Sequence, residues 1–368
     1  MSGDGAVSGG GAVSGGTVSG GDGQSGMSLR EAVEVVCSGR DLDAAAARGA
    51  FGEIARGGAP EALIAGLLVA LKAKGETPEE LSGAVEAYRE AAVAFERPDY
   101  RFADSCGTGG DGHGTINVST AAAFVAASSG LPIAKHGNRS VSSRSGSADV
   151  LSALGAAIEV SPQASRRVLD ETGVCFLFAP RYHPGARHAA GVRRALGMRT
   201  IMNLLGPLSN PARPPVQLTG VYSAELVVPV ARTLALLGCE RALVVHGGGL
   251  DEIALHAPTT AALVRDGEVE PMTLTPEDAG VAHAPLSALA GGSPEENAVL
   301  LSEVLRGQGA EAHAAAIAIN AGALLWIAEL APDLREGTAM AMDAMRSGRA
   351  HRTMTEYVKC SQREVRCA

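Results

Sequence analysis

A run of glycines between residues 104 and 120 is the segment best suited to bind an anion. Five glycines (at 107, 109, 110, 112 and 114) precede a helix that is predicted to begin near Val118. Glycine permits positive φ and close approach of backbone N–H groups, and a helix N-terminus adds unpaired N–H donors and a favourable dipole. The segment therefore predicts a phosphate site, with Asn117, Ser119 and Thr120 adding side-chain donors. The simpler alternative is a connection that only makes a tight turn.

The same glycines match the pattern GxGxxG, which is typical of dinucleotide-binding folds. Such folds expect an acidic residue at the end of the second strand, where it binds the ribose. Here the second predicted strand, LPIAKH at 131–136, ends in Lys135 and His136. This disfavours NAD, and an NADP enzyme stays open as an alternative.

A second polar loop follows that strand, at residues 135–147. It carries three cationic side chains in Lys135, Arg139 and Arg144, together with several serines, and again leads into a predicted helix. Ligands of open α/β sheets bind at the carboxyl ends of strands. A solvated polar loop would explain this segment alone, but two such loops on successive strands favour a shared ligand with several phosphates.

Two adjacent carboxylates, Asp251 and Glu252, follow a strand and the glycines GGG at 247–249. Mg²⁺ prefers oxygen ligands and is usually held by one or two carboxylates together with substrate phosphates. The pair is therefore a candidate magnesium site. A helix cap acid followed by a first-turn acid is the structural alternative.

Helical and strand patterns divide the chain into parts that position these segments. Residues 1–27 are Gly/Ser-rich and predict a disordered tail. Residues 28–97 show only helical periodicity, with capping signals at Ser28 and Thr77. From residue 98 to 368, strands alternate with helices, which predicts a mostly parallel sheet covered by helices. Strands are predicted at 100–104, 131–136, 156–160, 174–179, 216–221 and 241–247, with a hairpin at 259–275 that turns at Asp266–Gly267.

The overall charge and the cysteine pattern argue against several classes of function. The net charge of -9 disfavours nucleic acid or an anionic membrane as a partner. No apolar run reaches the roughly 18 residues that a membrane span needs. The six cysteines form no CxxC pair and no zinc-binding spacing, so we expect reduced thiols and a cytoplasmic protein.

Several motifs occur in an order that resembles the anthranilate phosphoribosyltransferases across residues 28–355. The motifs are GTGGD (107–111), NVST (117–120), KHGNR (135–139), GSAD (146–149), FLFAP (176–180), VRR (192–194), RTI (199–201), NLLGPLSNP (203–211) and DE (251–252). The resemblance implies a small helical domain, with a contribution from about 185–212, hinged to an α/β domain. It also implies a homodimer formed through the helical domains, and the substrates anthranilate and phosphoribosyl pyrophosphate.

The resemblance also implies roles for individual residues. Lys135 and Arg193 would be catalytic, although by pattern alone Arg193 would lie on a solvated helix face. Anthranilate would be placed by Gly107, Asn138 and Arg193. Magnesium, with two ions in each active site, would be bound by Ser119, Asp251 and Glu252. The residues expected to hold phosphoribosyl pyrophosphate are Gly107, Gly110, Asp111, Thr115, Asn117, Val118, Ser119, Thr120, Lys135, His136, Gly137, Asn138, Arg139, Ser140, Val141, Ser142, Ser143 and Ser147.

Two departures from the family pattern and two other functions bear on this interpretation. Ser140 stands where alanine is usual and Gly191 where proline is frequent, and neither change removes a functional group. A pyrimidine nucleoside phosphorylase would share the architecture, but the acidic pair and the NLLGPLSNP stretch disfavour it. A nucleic-acid binder of the same fold would need basic stripes, which the negative net charge opposes. No general base is evident, and His136 could equally serve to shape its loop.

Overall fold

Four helices precede the first strand. The computed structural model describes residues 27–110, 112–140 and 144–366, so the predicted tail lies outside the described residues apart from Met27. Ser28 and Glu31 form the predicted reciprocal capping box at the start of the first helix. Thr77 caps the fourth helix, as predicted, and there it also pairs reciprocally with Glu80. The helices are α1 (Leu29–Cys37), α2 (Ala44–Arg56), α3 (Glu61–Lys74) and α4 (Pro78–Glu90).

Strands and helices then alternate, which confirms the predicted α/β class. The elements are β1 (Ala103–Gly107), α5 (Val118–Ser128), β2 (Ile133–Gly137), α6 (Ser147–Ala153), α7 (Pro162–Thr172), β3 (Val174–Phe178), α8 (Ala179–Tyr182), α9 (Ala190–Leu196), α10 (Met202–Leu208), β4 (Val216–Gly220), α11 (Val227–Leu236), β5 (Arg241–Gly247), β6 (Thr259–Arg265), β7 (Glu268–Leu274), α12 (Pro294–Leu305), α13 (Glu311–Ile327), α14 (Leu334–Arg346) and α15 (Arg349–Arg366). Short 3₁₀ turns lie at Pro184–Ala189, Ala224–Leu226 and Leu286–Leu289.

The seven strands form one sheet in the order β3-β2-β1-β4-β5-β6-β7. Strands β1 to β5 pair in parallel, and β6 and β7 pair antiparallel at one edge. The chain passes to one side of β1 for β2 and β3 and to the other side for β4 onwards. A crevice forms at such a reversal, outside the carboxyl ends of the strands, and ligands of open α/β sheets bind there.

The hairpin between β6 and β7 turns at the predicted residues. Asp266 and Gly267 both have positive φ, at 54° and 82°. A two-residue loop with two positive φ angles matches the right-handed twist of the strands that it joins. The Asp-Gly signal therefore predicted the position of this turn correctly.

The predicted strand at 156–160 is wrong, because this segment has no strand structure. Its alternate apolar side chains, Ala156, Ile158 and Val160, are buried as a strand pattern would require. However, the N–H of Ala157 donates to Ser361 Oγ at 3.0 Å instead of to a neighbouring strand. The alternation therefore reflects packing of an extended segment beside α15.

Helices pack on both faces of the sheet, and side chains alternate between the faces along each strand. In β5, Leu243 and Val245 belong to the core that contains α5 and α13. Ala242 and Val244 belong to the core that contains α1–α4, α9, α10 and α11. Residues 189–208 thus pack in the same apolar cluster as the first four helices. No helix among the described residues is long and apolar enough to cross a membrane.

Candidate active site

The loop between β1 and α5 is shaped by left-handed glycines. Gly109, Gly112 and Gly114 have φ of 69°, 78° and 62°. A Cβ at any of the three would meet no atom within 4 Å, so the backbone conformation and not crowding accounts for glycine there. Asp111, which was predicted to contact phosphoribosyl pyrophosphate, lies outside the described residues. The loop leads directly into the first turn of α5, whose N–H groups have no acceptors within the helix itself.

Asp251 and Glu252 reach the same edge of the sheet through a tight turn after β5. Gly247 and Leu250 exchange two backbone hydrogen bonds, of 2.9 and 3.1 Å. The backbone of Asp251 then lies against the ends of β1 and β4, since a Cβ at Gly220 would be 1.6 Å from Asp251 O. A Cβ at Gly107 would be 2.1 Å from Asp251 Oδ2. The glycines that end these two strands therefore make room for the acidic pair.

Each carboxylate of the acidic pair accepts a hydrogen bond from a backbone N–H, one in the glycine-rich loop and one in the first turn of α5. Gly109 N donates to Asp251 Oδ2 at 2.7 Å, and Ser119 N donates to Glu252 Oε1 at 3.1 Å. Carboxylate oxygens of this kind are the ligands that Mg²⁺ prefers. Among the described residues, no group of three or more His, Cys, Asp or Glu side chains could hold a metal ion. The acidic pair thus suits an ion that takes its other ligands from substrate or water.

Lys135 is the central residue of β2 and is buried, with 3% of its surface exposed. Its Nζ donates to the backbone carbonyl of Ser105 and, at 3.3 Å, to Ser119 Oγ. The ammonium group therefore lies between β1 and the first turn of α5. A lysine held in this way delivers a point charge to a phosphate group at the loop.

His136 points to the opposite face of the sheet, away from the α5 side. Its Nδ1 lies 2.9 Å from the carbonyl of Gly206, so Nδ1 carries the hydrogen and donates it. Its ring packs edge-on against His183, with centroids 5.1 Å apart. Burial, reinforced by the neighbouring His183, lowers the pKa of His136 to about 3. His136 is therefore a neutral residue and supplies no positive charge to a phosphate.

The polar loop after β2 is organised by Asp149, which the motif comparison quoted without a role. Asp149 accepts hydrogen bonds from Ser140 N at 2.9 Å, Gly146 N at 3.0 Å and Arg139 Nη1 at 3.1 Å. Ser147 Oγ donates to the carbonyl of Asn138 at 3.3 Å, which closes the loop on itself. The predicted contacts Val141, Ser142 and Ser143 lie outside the described residues. The only signal in the sequence that could have identified Asp149 is its position three residues after Gly146, where an acidic residue can cap the start of α6.

Some of the residues predicted to hold phosphoribosyl pyrophosphate can contact it only through their backbone atoms. Val118 is 4% exposed and Thr120 is 1% exposed, so both side chains are buried. Gly137 has no side chain and can also contact a ligand only through its backbone. A Cβ at this position would lie 2.4 Å from Ser147 Oγ, so there is no room for a larger residue. Thr115 lies in the loop and forms an isolated bridge with Ala290.

Arg193 lies on α9, close enough to Tyr88 of α4 for each group to affect the ionisation of the other. Burial lowers the pKa of Arg193, while Tyr88 raises it. Tyr88 in turn contacts Met202 of α10, with its hydroxyl 3.9 Å from the sulfur. Arg193 is therefore a half-buried cation on α9 near Tyr88 of α4, which distinguishes it from its exposed neighbour Arg194.

Arg199 makes a contact that sequence patterns did not predict. Its guanidinium lies 4.1 Å from the ring centroid of Tyr222, and its Nη2 donates to the carbonyl of Gly110. The segment between α9 and α10 is thereby joined to the glycine-rich loop. The RTI motif marked this arginine, but only the fold shows what it contacts.

The buried imidazoles predict how stability changes with pH. Burial lowers the pKa of His183 to about 4, as it lowers the pKa of His136 to about 3. In the unfolded chain both titrate near 6.5. The unfolded state therefore binds more protons between these values, so stability is lost as pH falls from about 6.5 towards 4, by about 1.4 kcal/mol per pH unit for each imidazole.

Asp104 works in the opposite direction, since burial raises its pKa to about 6. Its protonation favours the folded state as pH falls from about 6 to 4, but one carboxyl opposes two imidazoles. We expect the free energy of unfolding, measured by urea denaturation at a series of pH values, to fall through this range. His183→Leu should remove about half of the histidine contribution. An unchanged pH dependence in that variant would show that His183 is not buried in its neutral form.

Comparisons with known proteins match both parts of the chain. Residues 30–92 match the family model described as "Glycosyl transferase family, helical bundle domain", and residues 99–351 match "Glycosyl transferase family, a/b domain". The anthranilate phosphoribosyltransferase of Sorangium cellulosum is 58% identical over 334 residues, covering 91% of this chain and 96% of that protein. That of Aeromonas hydrophila is 52% identical over 337 residues, covering 92% and 98%.

Solved structures show the same likeness in three dimensions. The crystal structure of anthranilate phosphoribosyltransferase from Thermus thermophilus superposes with a TM-score of 0.86 at 43% identity, covering 90% of this chain and 99% of that one. The enzyme from Saccharomyces cerevisiae, in complex with phosphoribosyl pyrophosphate and Mg, gives a TM-score of 0.83 at 28% identity, covering 91% and 98%. Fold and site together define a glycosyl transferase with a helical bundle and an α/β part. The chain belongs to the anthranilate phosphoribosyltransferase family, which confirms the resemblance in its motifs.

Proposed function

We propose that this chain transfers the phosphoribosyl group of 5-phosphoribosyl 1-pyrophosphate to anthranilate. The products are N-(5-phosphoribosyl)anthranilate and pyrophosphate, and the reaction is the second step of tryptophan biosynthesis from chorismate. The observation that carries the proposal is the convergence of three segments at the β1/β4 reversal. Hydrogen bonds at Gly109 and Ser119 join the glycine-rich loop and the start of α5 to the acidic pair and to the ammonium group of Lys135.

Phosphoribosyl pyrophosphate, the donor substrate, would be held mainly by backbone groups and by Lys135. The first turn of α5 offers N–H groups and a positive dipole end to one phosphate. The loop that Asp149 organises presents Asn138, Arg139 and Ser147 on the same edge of the sheet. The predicted contacts at 111 and 141–143 stay predictions.

Mg²⁺ would be held by Asp251, Glu252 and Ser119. When bound, it supplies positive charge that stabilises the leaving pyrophosphate. We propose two ions in each site because the carboxylates face different partners, Asp251 towards Gly109 and Glu252 towards Ser119. Titration with Mn²⁺, followed by electron paramagnetic resonance in the presence of donor, measures this stoichiometry.

The chain's own residues would act by positioning and by charge. The amine nitrogen of anthranilate forms a bond to C1 of the ribose as the C1–O bond breaks, and pyrophosphate leaves with the electron pair. The positively charged nitrogen that results then loses a proton to water. Lys135 neutralises charge that develops on the leaving group, and the half-buried Arg193 faces the acceptor carboxylate.

Arg193→Ala tests the acceptor site. We expect the KM for anthranilate to rise about 10- to 100-fold, which is the usual loss for a charge-assisted hydrogen bond, while the KM for the donor stays nearly unchanged. Steady-state kinetics with each substrate varied in turn separates the two constants. The matched control is Arg194→Ala, because Arg194 is the exposed neighbour on the same helix. A rise in the donor KM alone would refute the assignment.

The reaction itself is tested by the loss of anthranilate fluorescence when donor and Mg²⁺ are added. EDTA should abolish the change, and Asp251→Asn should raise the Mg²⁺ concentration needed for half-maximal rate. Activity that survives EDTA would disprove the metal role. Phosphorolysis of thymidine, assayed in parallel, tests the nucleoside phosphorylase alternative.

The proposal includes a homodimer and a hinge between two domains. Apolar side chains are exposed in the helical part, with Val69 on α3 at 40% and Met198 beyond α9 at 43%. Residues 91–102, between α4 and β1, contain neither helix nor strand and would form the hinge between domains at 28–97 and 98–368. Closure would exclude water and limit hydrolysis of the donor. Light scattering of Val69→Asp against the wild-type chain tests the dimer.

A further inference from the structure

We propose that Asn297, in the first turn of α12, is a positioning residue. It holds the glycine-rich loop after β1 and the polar loop after β2 in fixed positions relative to each other. It acts through Asn117, which joins the loop after β1 to the loop after β2. The inference rests on the proposed function, because it concerns how the donor site is organised. Sequence patterns gave no role to Asn297 or to the segment that precedes it.

Asn297 is buried, with 1% of its surface exposed, and both ends of its amide are used. Its Oδ1 accepts a hydrogen bond from Gly292 N at 2.8 Å. Its Nδ2 donates to Asn117 Oδ1 at 2.9 Å. The need of Gly292 N–H for an acceptor fixes the amide orientation, so the NH₂ group always faces Asn117.

Asn117 extends this contact to the second loop. Its Nδ2 donates to the carbonyl of Ser145 at 3.1 Å, and its Oδ1 accepts from Ser145 Oγ at 3.2 Å. An inverted Asn117 amide would place oxygen against the carbonyl of Ser145 and nitrogen against Nδ2 of Asn297. Asn297 therefore selects the orientation of Asn117 in which the two loops are joined.

Backbone contacts from the same region support the first loop. Ile116 N donates to Leu289 O at 3.0 Å, and Gly291 N donates to Gly114 O at 2.8 Å. Gly291 lies so close that a Cβ there would be 2.7 Å from Asn297 Oδ1. The segment 289–297 thus forms a support along the outer side of the loop.

This support matters because glycine-rich loops lose much conformational freedom when they are ordered. A loop that is ordered before the ligand arrives binds it more tightly, because less ordering remains to be done. Loss of the Asn297 contact should therefore weaken binding of the donor, which contacts both loops. It should leave acceptor binding to the donor complex largely intact.

Two variants test the proposal. Asn297→Asp keeps the acceptor for Gly292 but loses the donor to Asn117, and Asn297→Leu removes both. We expect each to raise the KM and the dissociation constant for phosphoribosyl pyrophosphate with Mg²⁺ about tenfold, equivalent to about 1.4 kcal/mol. The KM for anthranilate at saturating donor should stay close to the wild-type value. Hydrogen exchange in the unliganded variants should be faster at residues 112–117 and 144–147.

The leucine variant separates positioning from charge, since only the aspartate variant could repel the donor. Ser361→Ala serves as the stability control, because Ser361 is equally buried and binds Ala157 N outside the site. That variant should lower the melting temperature without changing the donor KM. Normal donor binding and loop exchange in both Asn297 variants would overturn the inference while leaving the proposed function intact. Failure of the wild-type chain to bind the donor would overturn both.

Discussion

We expect Gly220→Ala to lower kcat/KM by about 100-fold, because a displacement of about 1 Å in an active site has effects of that size. The added Cβ would lie 1.6 Å from the backbone oxygen of Asp251 and 2.4 Å from its carbonyl carbon. Both contacts are with backbone, so a rotamer change cannot relieve them. The turn that carries Asp251 and Glu252 must therefore move away from β4.

The displacement should appear first in the metal requirement. The Mg²⁺ concentration at half-maximal rate should rise more than the KM for anthranilate, because the acceptor side does not depend on this turn. Gly66→Ala is the matched control, since its Cβ would make only an ordinary contact, 3.7 Å from a Val33 methyl group. That variant lies inside α3 and should stabilise the chain by roughly 0.4–1 kcal/mol without changing the kinetics. Wild-type metal dependence in Gly220→Ala would mean that the acidic pair is not the metal site.

Local signals in the sequence were sufficient where an element is determined by neighbouring residues. The capping boxes at Ser28 and Thr77 and the turn at Asp266–Gly267 depend on side chains within three or four positions. The glycine loops at strand ends are also local features, and they identified the edge of the sheet where Asp251 and the start of α5 lie. The parallel sheet followed from strand and helix alternation alone.

Long-range packing decided the features that the sequence did not reveal. Residues 156–160 have the alternation of a strand, but α15 covers them and supplies their hydrogen-bond partner. The same applies to the contact between Asn297 and Asn117, which are 180 residues apart. His136 stood beside Lys135 in a basic loop, yet alternation along β2 sends it to the other face, where burial keeps it neutral. Their consecutive positions in β2 place these two side chains on opposite faces of the sheet.

Lys135→Met is expected to lower kcat by about 100- to 1,000-fold, which is the usual effect of removing one group that stabilises charge in a transition state. The ammonium group is held at Ser105 O and Ser119 Oγ, so it is already in place before the ligand binds. A charge ordered in advance stabilises the leaving pyrophosphate without reorganisation. The loss should therefore appear mainly in kcat, with a smaller rise in the KM for the donor.

Stability distinguishes this catalytic role from a structural one. Methionine matches the length of the buried lysine stem and removes a buried cation. The buried carboxyl of Asp104, whose pKa burial raises and Lys135 lowers, can take up a proton when the cation is lost, so Lys135→Met should melt close to the wild-type temperature. Lys74→Met provides the contrast, because Lys74 is also largely buried but is paired with Asp41 at 2.6 Å and Glu80 at 3.1 Å. Its loss leaves Glu80 buried without its cation, which should lower the melting temperature and leave kcat unchanged. If Lys135→Met were instead destabilised with normal turnover, Lys135 would be a structural residue, and the positive charge at the leaving group would have to come from elsewhere.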